Sequence, residues 1–184
     1  HGAAAGGGQE RRVLLHGVEN PNIRRDNALK NPLNEIGEKD RFDVIVTNPP
    51  FGGMEEDGIE QNFPATYRTR ETADLFLVLI THLLKDGGRA AVVVPDNVLF
   101  EGGAGEVIRR RLLESCDVHT LLRLPTGIFY AQGVKANVVF FDARPKDGTV
   151  QTKGVWVYDL RTNKHFTLKT RPLGYEDLAD FVAC

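Results

Sequence analysis

Asn48-Pro49-Pro50-Phe51 sets two oxygen acceptors, two residues of fixed φ and a flat aromatic ring within four positions. That set suits the handling of a planar exocyclic amine. Such an amine is a poor nucleophile because its lone pair is delocalised into the ring, yet it needs no strong base. Two acceptors that take both N–H groups bias the nitrogen toward a tetrahedral geometry and aim its lone pair at an incoming methyl. The Asn48 side-chain oxygen and the Pro49 backbone carbonyl can be those acceptors. Proline fixes φ and lacks an N–H, so the carbonyls are rigidly aimed and not consumed by a helix. Phe51 offers an apolar face on which a flipped-out base can stack. The plainer alternative is a loop breaker followed by a core aromatic, since Asn-Pro alone is a common turn.

The segments around the tetrapeptide must position it. Residues 43–47 (Asp-Val-Ile-Val-Thr) form a β-branched run suited to a buried strand and halted by the prolines. Open parallel sheets bind ligands beyond the carboxyl ends of their strands, which is where Asn48 falls. Residues 55–70 are polar and interrupted by Gly58 and Pro64, so they predict a surface loop. Residues 72–85 are apolar all round and predict a helix closing at Gly87-Gly88. A strand is expected over 89–95, a helix over 105–116, and strands over 117–124, 136–142 and 155–160. A final helix is expected over 175–182. Earlier, 11–16 suits the end of a helix stopped by Gly17, and 22–25 a short strand ending at Asp26. This alternation predicts a mostly parallel sheet flanked by helices. Residues 1–13, Gly- and Ala-rich at the start, are expected to be a flexible leader before a domain spanning 14–184.

The bulk numbers leave these readings open. The 184 residues are 41% hydrophobic and 26% charged, ordinary for a globular chain able to bury one core. No run approaches the roughly 18 apolar residues of a membrane span. Cys116 and Cys184 cannot form a disulfide framework or a zinc cluster, so a reducing cytoplasm is the expectation. The formal net charge of −2 argues against indiscriminate nucleic-acid binding, although a partner can supply positive charge. His16, His82, His119 and His165 lack metal-ligand spacing. Arg109-Arg110-Arg111 reads as a solvated helix face, and Asp96-Asn97 as a turn at a strand's carboxyl end that could line the cleft.

The segment from Phe42 to Gly52, Phe-Asp-Val-Ile-Val-Thr-Asn-Pro-Pro-Phe-Gly, resembles the catalytic motif of the γ-class amino-methyltransferases. Four further motifs follow in the order found in one branch. They are Thr72-Ala73-Asp74-Leu75-Phe76, Leu84-Lys85-Asp86-Gly87-Gly88-Arg89-Ala90, Leu124-Pro125-Thr126-Gly127-Ile128-Phe129 and Tyr158-Asp159-Leu160-Arg161-Thr162-Asn163. That branch is the modification (M) subunit of type I restriction–modification systems, and the likeness runs from about Leu14 to the C-terminus. It implies a Rossmann-like α/β methyltransferase sheet, S-adenosylmethionine as methyl donor and adenine N6 in double-stranded DNA as acceptor. It also implies assembly with a specificity (S) subunit and a second M subunit, with a restriction (R) subunit as a further candidate. By position, Asn48 and Pro49 hold the adenine amine, Pro50 stiffens the loop and Phe51 stacks on the base. Phe129 resembles the aromatic that closes on the flipped base from its other side; a core aromatic before a strand is the alternative. Asp26, with the Asn27 backbone beside it, resembles the residue that accepts from the cofactor's adenine amine; for Asp26 a helix N-cap fits equally well.

The family's glycine-rich cofactor loop has no counterpart before Leu14. On this reading the sheet is partial, with its first two strands missing and the 43–47 strand left with an unpaired edge. The 184-residue chain alone is then expected to bind cofactor weakly and to be inactive. Two rivals remain: an amino-methyltransferase acting on RNA guanine N2 or protein glutamine, and a non-catalytic remnant serving as an interaction piece.

Overall fold

In the computed structural model, residues 21–23, 26–129, 133–145, 147–161 and 166–184 are described. The expected leader, the helix end at 11–16, Gly17, His16 and His165 lie outside them, as do Thr162 and Asn163. The described strands are β1 (Phe42–Thr47), β2 (Leu84–Pro95), β3 (Cys116–Arg123), β4 (Ala136–Ala143) and β5 (Trp156–Asp159). They form one sheet in the order β1-β2-β4-β3-β5. β1 pairs parallel with β2, and β3 with β5, while β4 is antiparallel to both of its neighbours. Four strands therefore point one way, and the expected mostly parallel sheet is a mixed one. Among the described residues no helix separates β3 from β4, whereas parallel neighbours are usually joined through one.

Helices α1 (Thr72–Leu83) and α2 (Ala104–Ser115) cover one face of the sheet. Leu75, Leu77, Leu79 and Ile80 of α1 and Ile108 and Leu112 of α2 pack with Val92, Val94, Val118 and Phe141. Leu29, Leu33 and Phe63 belong to the same buried cluster as the apolar residues of α1. The opposite face carries a smaller cluster around Leu122, Leu124, Ala136 and Leu160, joined by Phe181 of the short helix α3 (Ala179–Ala183). Among the described residues no helix is long and apolar enough to cross a membrane.

Four expectations change. The 43–47 run is a strand but not a buried one: Val44 and Val46 are exposed, Val46 at 78%, because β2 is the only described strand that pairs with β1. Gly87-Gly88 does not stop α1, which ends at Leu83. Instead β2 inserts extra residues against β1, between the pairs Phe42↔Leu84 and Val44↔Arg89. Gly87 there has φ +77°, and a Cβ on Gly88 would meet the Lys85 and Phe42 carbonyl oxygens at 2.9 and 3.0 Å. Only a residue without a side chain fits that approach. Residues 55–70 are not plain loop either, since Ile59–Asn62 and Ala65–Tyr67 are 3-10 turns and Phe63 between them is buried. At 22–23 no strand is present, and 24–25 lie outside the described residues.

The α1–α2 contact holds a buried acid. Asp74, in the first turn of α1, is 2% exposed, and its Oδ1 has no hydrogen-bond partner. Gly105 of α2 makes room for it: a Cβ there would lie 3.1 Å from Asp74 Oδ2. Burial, with Glu101 and then Glu71 nearby and Arg109 opposing them, pushes the Asp74 carboxyl up from 3.8 to about 6. The folded chain thus holds this proton more tightly than the unfolded one. Its stabilising contribution is complete below about pH 4 and is lost as pH rises through about 6. Asp74→Asn keeps the shape and removes the charge. Urea unfolding of both proteins across that window should show a fall in stability for wild type and a flatter profile for the variant. Parallel profiles would mean that Asp74 titrates as it does in water.

Candidate active site

β1 stops at Thr47 because Pro49 and Pro50 have no N–H to give to a neighbouring strand. Asn48 and Pro50 are exposed and Pro49 is buried, so the turn is rooted by one proline between two exposed residues. β1, β2, β3 and β5 point the same way, so Asn48 shares one edge of the sheet with the ends of the other three.

The chain beyond Phe51 is fastened to the start of α1. Thr72 donates its N–H and its hydroxyl to the Gly53 carbonyl at 3.3 and 3.1 Å, and the hydroxyl also reaches Glu55 Oε1 at 2.8 Å. Arg70 gives two N–H groups to the Glu55 carbonyl and pairs with Asp57 at 2.9 Å. The Asn48–Phe51 turn is therefore held on one side by a strand and on the other by a helix terminus.

Of the residues expected at the site, the fold brings Phe51 and Phe129 together. Their ring centroids are 4.7 Å apart and their planes are inclined at 84°, an edge-to-face contact. Both rings are half-buried against Leu122, Leu124, Ala136 and Leu160. A planar ring held between two parallel rings needs about 3.5 Å on each side, and the edge-to-face arrangement leaves no such gap.

Asp26 and Asn27 make local contacts. The Asp26 carboxylate pairs with Lys30 and accepts the Asn27 N–H at 3.0 Å. The Lys30 ammonium, chiefly, holds this exposed carboxyl below its ordinary value. The N-cap reading of Asp26 fails, because a turn follows and not a helix; its cap is Asn27, whose Oδ1 accepts the Leu29 N–H at 2.9 Å. Leu29 is fully buried, which anchors that turn to the core.

Other residues matter that the sequence read more blandly. Gly127, in the Leu-Pro-Thr-Gly-Ile-Phe segment, has φ +87°, and a Cβ on it would lie 2.2 Å from the Phe166 carbonyl oxygen. The sequence reading quoted Gly127 only as part of a motif, and nothing along the chain names the distant backbone pressed against it. Arg109 is not part of a solvated face: it donates to the Val98 carbonyl at 2.9 Å and to the Glu101 carbonyl. Arg110 and Arg111 do face solvent and pair with Glu106 and Glu114. Beyond β5, the Arg161 guanidinium holds the Asp159 carboxyl down at about 2.

The family model for N-6 DNA methylases matches residues 11–184. The EcoEI type I methylase subunit of Escherichia coli is 50% identical over 170 residues, which cover 90% of this chain and 33% of that protein. The crystal structure of the EcoKI type I methylase, an Escherichia coli protein, superposes with a TM-score of 0.79 at 43% identity, covering 93% of this chain and 36% of its own. A modification subunit from Vibrio vulnificus superposes at 0.81 with 42% identity, covering 94% and 37%. The chain thus spans about a third of the length of these relatives.

Gly127→Ala combines a strained φ with a steric clash, and it should lower stability by roughly 1–3 kcal/mol. The cost should be read from a shift of the urea midpoint, with the Phe129 ring resonances moving in the same variant. A midpoint and spectrum like wild type would show that the Phe166 backbone yields freely.

Proposed function

The chain belongs to the N-6 DNA methylase family, and on that premise we propose that the protein containing it transfers a methyl group from S-adenosylmethionine to adenine N6 in double-stranded DNA. The observation that carries this reading is the Asn48-Pro49-Pro50-Phe51 turn at the carboxyl end of β1, with an exposed asparagine followed by a buried proline. The relatives are methylase subunits of type I restriction enzymes, and one similar structure concerns the assembly of a type I restriction–modification system. We therefore assign the protein the role of modification subunit. Its partners are a specificity subunit that reads the DNA, a second modification subunit and, in the complete system, a restriction subunit.

In this reading the Asn48 side-chain oxygen and the Pro49 carbonyl accept the two N–H groups of the target amine, which turns its lone pair out of the ring plane. Pro50 keeps the turn rigid and Phe51 carries the base on its face. Phe129 makes room by turning its edge away from Phe51 and then closes on the other face of the base. No side chain has to remove a proton before attack, and no cysteine nucleophile is required. Asp26 is exposed and keeps lone pairs free after bonding Lys30 and Asn27, so it and the Asn27 backbone fit the adenine end of the cofactor. When bound, that cofactor supplies an electrophilic methyl group on a sulfonium.

Methyl transfer from labelled S-adenosylmethionine to unmethylated DNA, measured in the complete protein with its specificity subunit, tests the proposal. Label should appear at adenine N6. Asn48→Ala should lower the rate about 100-fold or more with the circular dichroism unchanged, and undiminished turnover in that variant would sink the proposal. Phe51→Ala should mainly weaken capture of the base, by roughly 1–3 kcal/mol, seen as a higher KM for DNA. Label found in RNA or protein and absent from DNA would redirect the assignment to another amine.

A further inference from the structure

Phe129 sits on the connection that leaves β3 at Arg123 and enters β4 at Ala136. Its position depends on how the two feet of that connection are held. Leu124 donates its N–H to the Ala136 carbonyl at 3.0 Å, which closes the base of the connection. Both feet then meet a residue from a third part of the chain. Asp96, first after β2, donates its N–H to the Lys135 carbonyl at 2.9 Å. Its Oδ1 accepts from Asn137 Nδ2 at 2.9 Å, and the same oxygen lies 3.6 Å from Arg123 Nη2. One aspartate thus grips the returning foot through main chain and side chain, and the departing foot through its charge.

The grip lies in a place where its loss is costly. Asn137 is 1% exposed, and its Oδ1 already has no partner; the buried Arg123 Nε has none either. Without Asp96, an amide and a guanidinium that are each incompletely satisfied would lose a further acceptor. Asp96 also follows the strand that carries β1, in the register Thr47↔Val92. It therefore links the base of the Phe129 segment to the strand pair from which Asn48–Phe51 projects.

We propose that Asp96 is a positioning residue for base capture: it sets Phe129 against Phe51 by clamping both feet of the β3–β4 connection. The proposal rests on the methyltransferase reading of the site. It separates two functions along one sheet edge, with Asn48 and Pro49 holding the amine and Asp96, at one remove, holding the ring that confines the base.

Asp96→Ala, assayed in the complete protein with its specificity subunit, should raise the KM for DNA about 10- to 100-fold, with kcat altered less than about threefold. Asp96→Asn keeps an acceptor for Asn137 and loses the charge toward Arg123, so it should fall between wild type and Asp96→Ala. A readout independent of activity is the nuclear Overhauser contact between the Phe51 and Phe129 rings, which should weaken in Asp96→Ala. Where Asp96→Ala does not fold, Asp96→Asn decides by the same measurements. Wild-type KM with an intact ring contact overturns the proposal, and so does a fall in kcat at unchanged KM, which would put Asp96 in the chemistry. Should Asn48→Ala prove as active as wild type, the functional reading fails while the ring contact still tests the clamp.

Discussion

The pairing of β1 with β2 is the contact on which the candidate site depends. Among the described residues β2 is the only strand that holds β1, so the position of Asn48 is set by one parallel ladder. That ladder is irregular at its start, where β2 inserts residues around Gly87-Gly88 and Lys85 reaches across to Asp43 at 2.8 Å. It is regular from Val44 to Thr47, directly before the prolines. The strand therefore delivers the turn in a fixed register, and Pro49 and Pro50 end the ladder where further pairing would consume the carbonyls that the proposed chemistry uses.

Polar groups buried between elements do the rest of the positioning. Thr72 binds the segment after Phe51 to the start of α1. Two residues later Asp74 is buried against the amino end of α2. Arg109, one turn into α2, holds the turn that follows β2 through two carbonyls. That turn begins with Asp96, which meets both feet of the Phe129 segment. Each of these contacts joins parts of the chain distant in sequence. Each also leaves a desolvated polar group behind if one partner is removed, which makes the arrangement specific more than it makes it stable.

In the two aromatic rings, packing and the proposed recognition of a base would compete for one surface. Phe51 and Phe129 pack, partly buried, against the smaller core cluster and meet each other nearly at right angles. The same rings, turned parallel, would present two flat faces to a base. The edge-to-face pair keeps apolar surface out of water when no base is present, and its modest strength, about 0.5–1.5 kcal/mol beyond burial, is small enough for a stacked base to replace.

By itself the sequence determined the turn at Asn48–Phe51, the strand before it, α1, α2 and the last four strands within a residue or two, apart from β2's longer start. Those elements follow from local causes: β-branched runs, helix formers and prolines that forbid a hydrogen bond. It also determined the family, through five motifs in order. Only the tertiary structure decided that β4 inserts reversed between β2 and β3, that β1 lies exposed at an edge, and that Gly88 and Gly127 face distant carbonyls. It alone made Asp96 a clamp and turned Phe129 edge-on to Phe51. These depend on which segments meet across the sheet, and side-chain spacing along the chain carries no record of a partner tens of residues away.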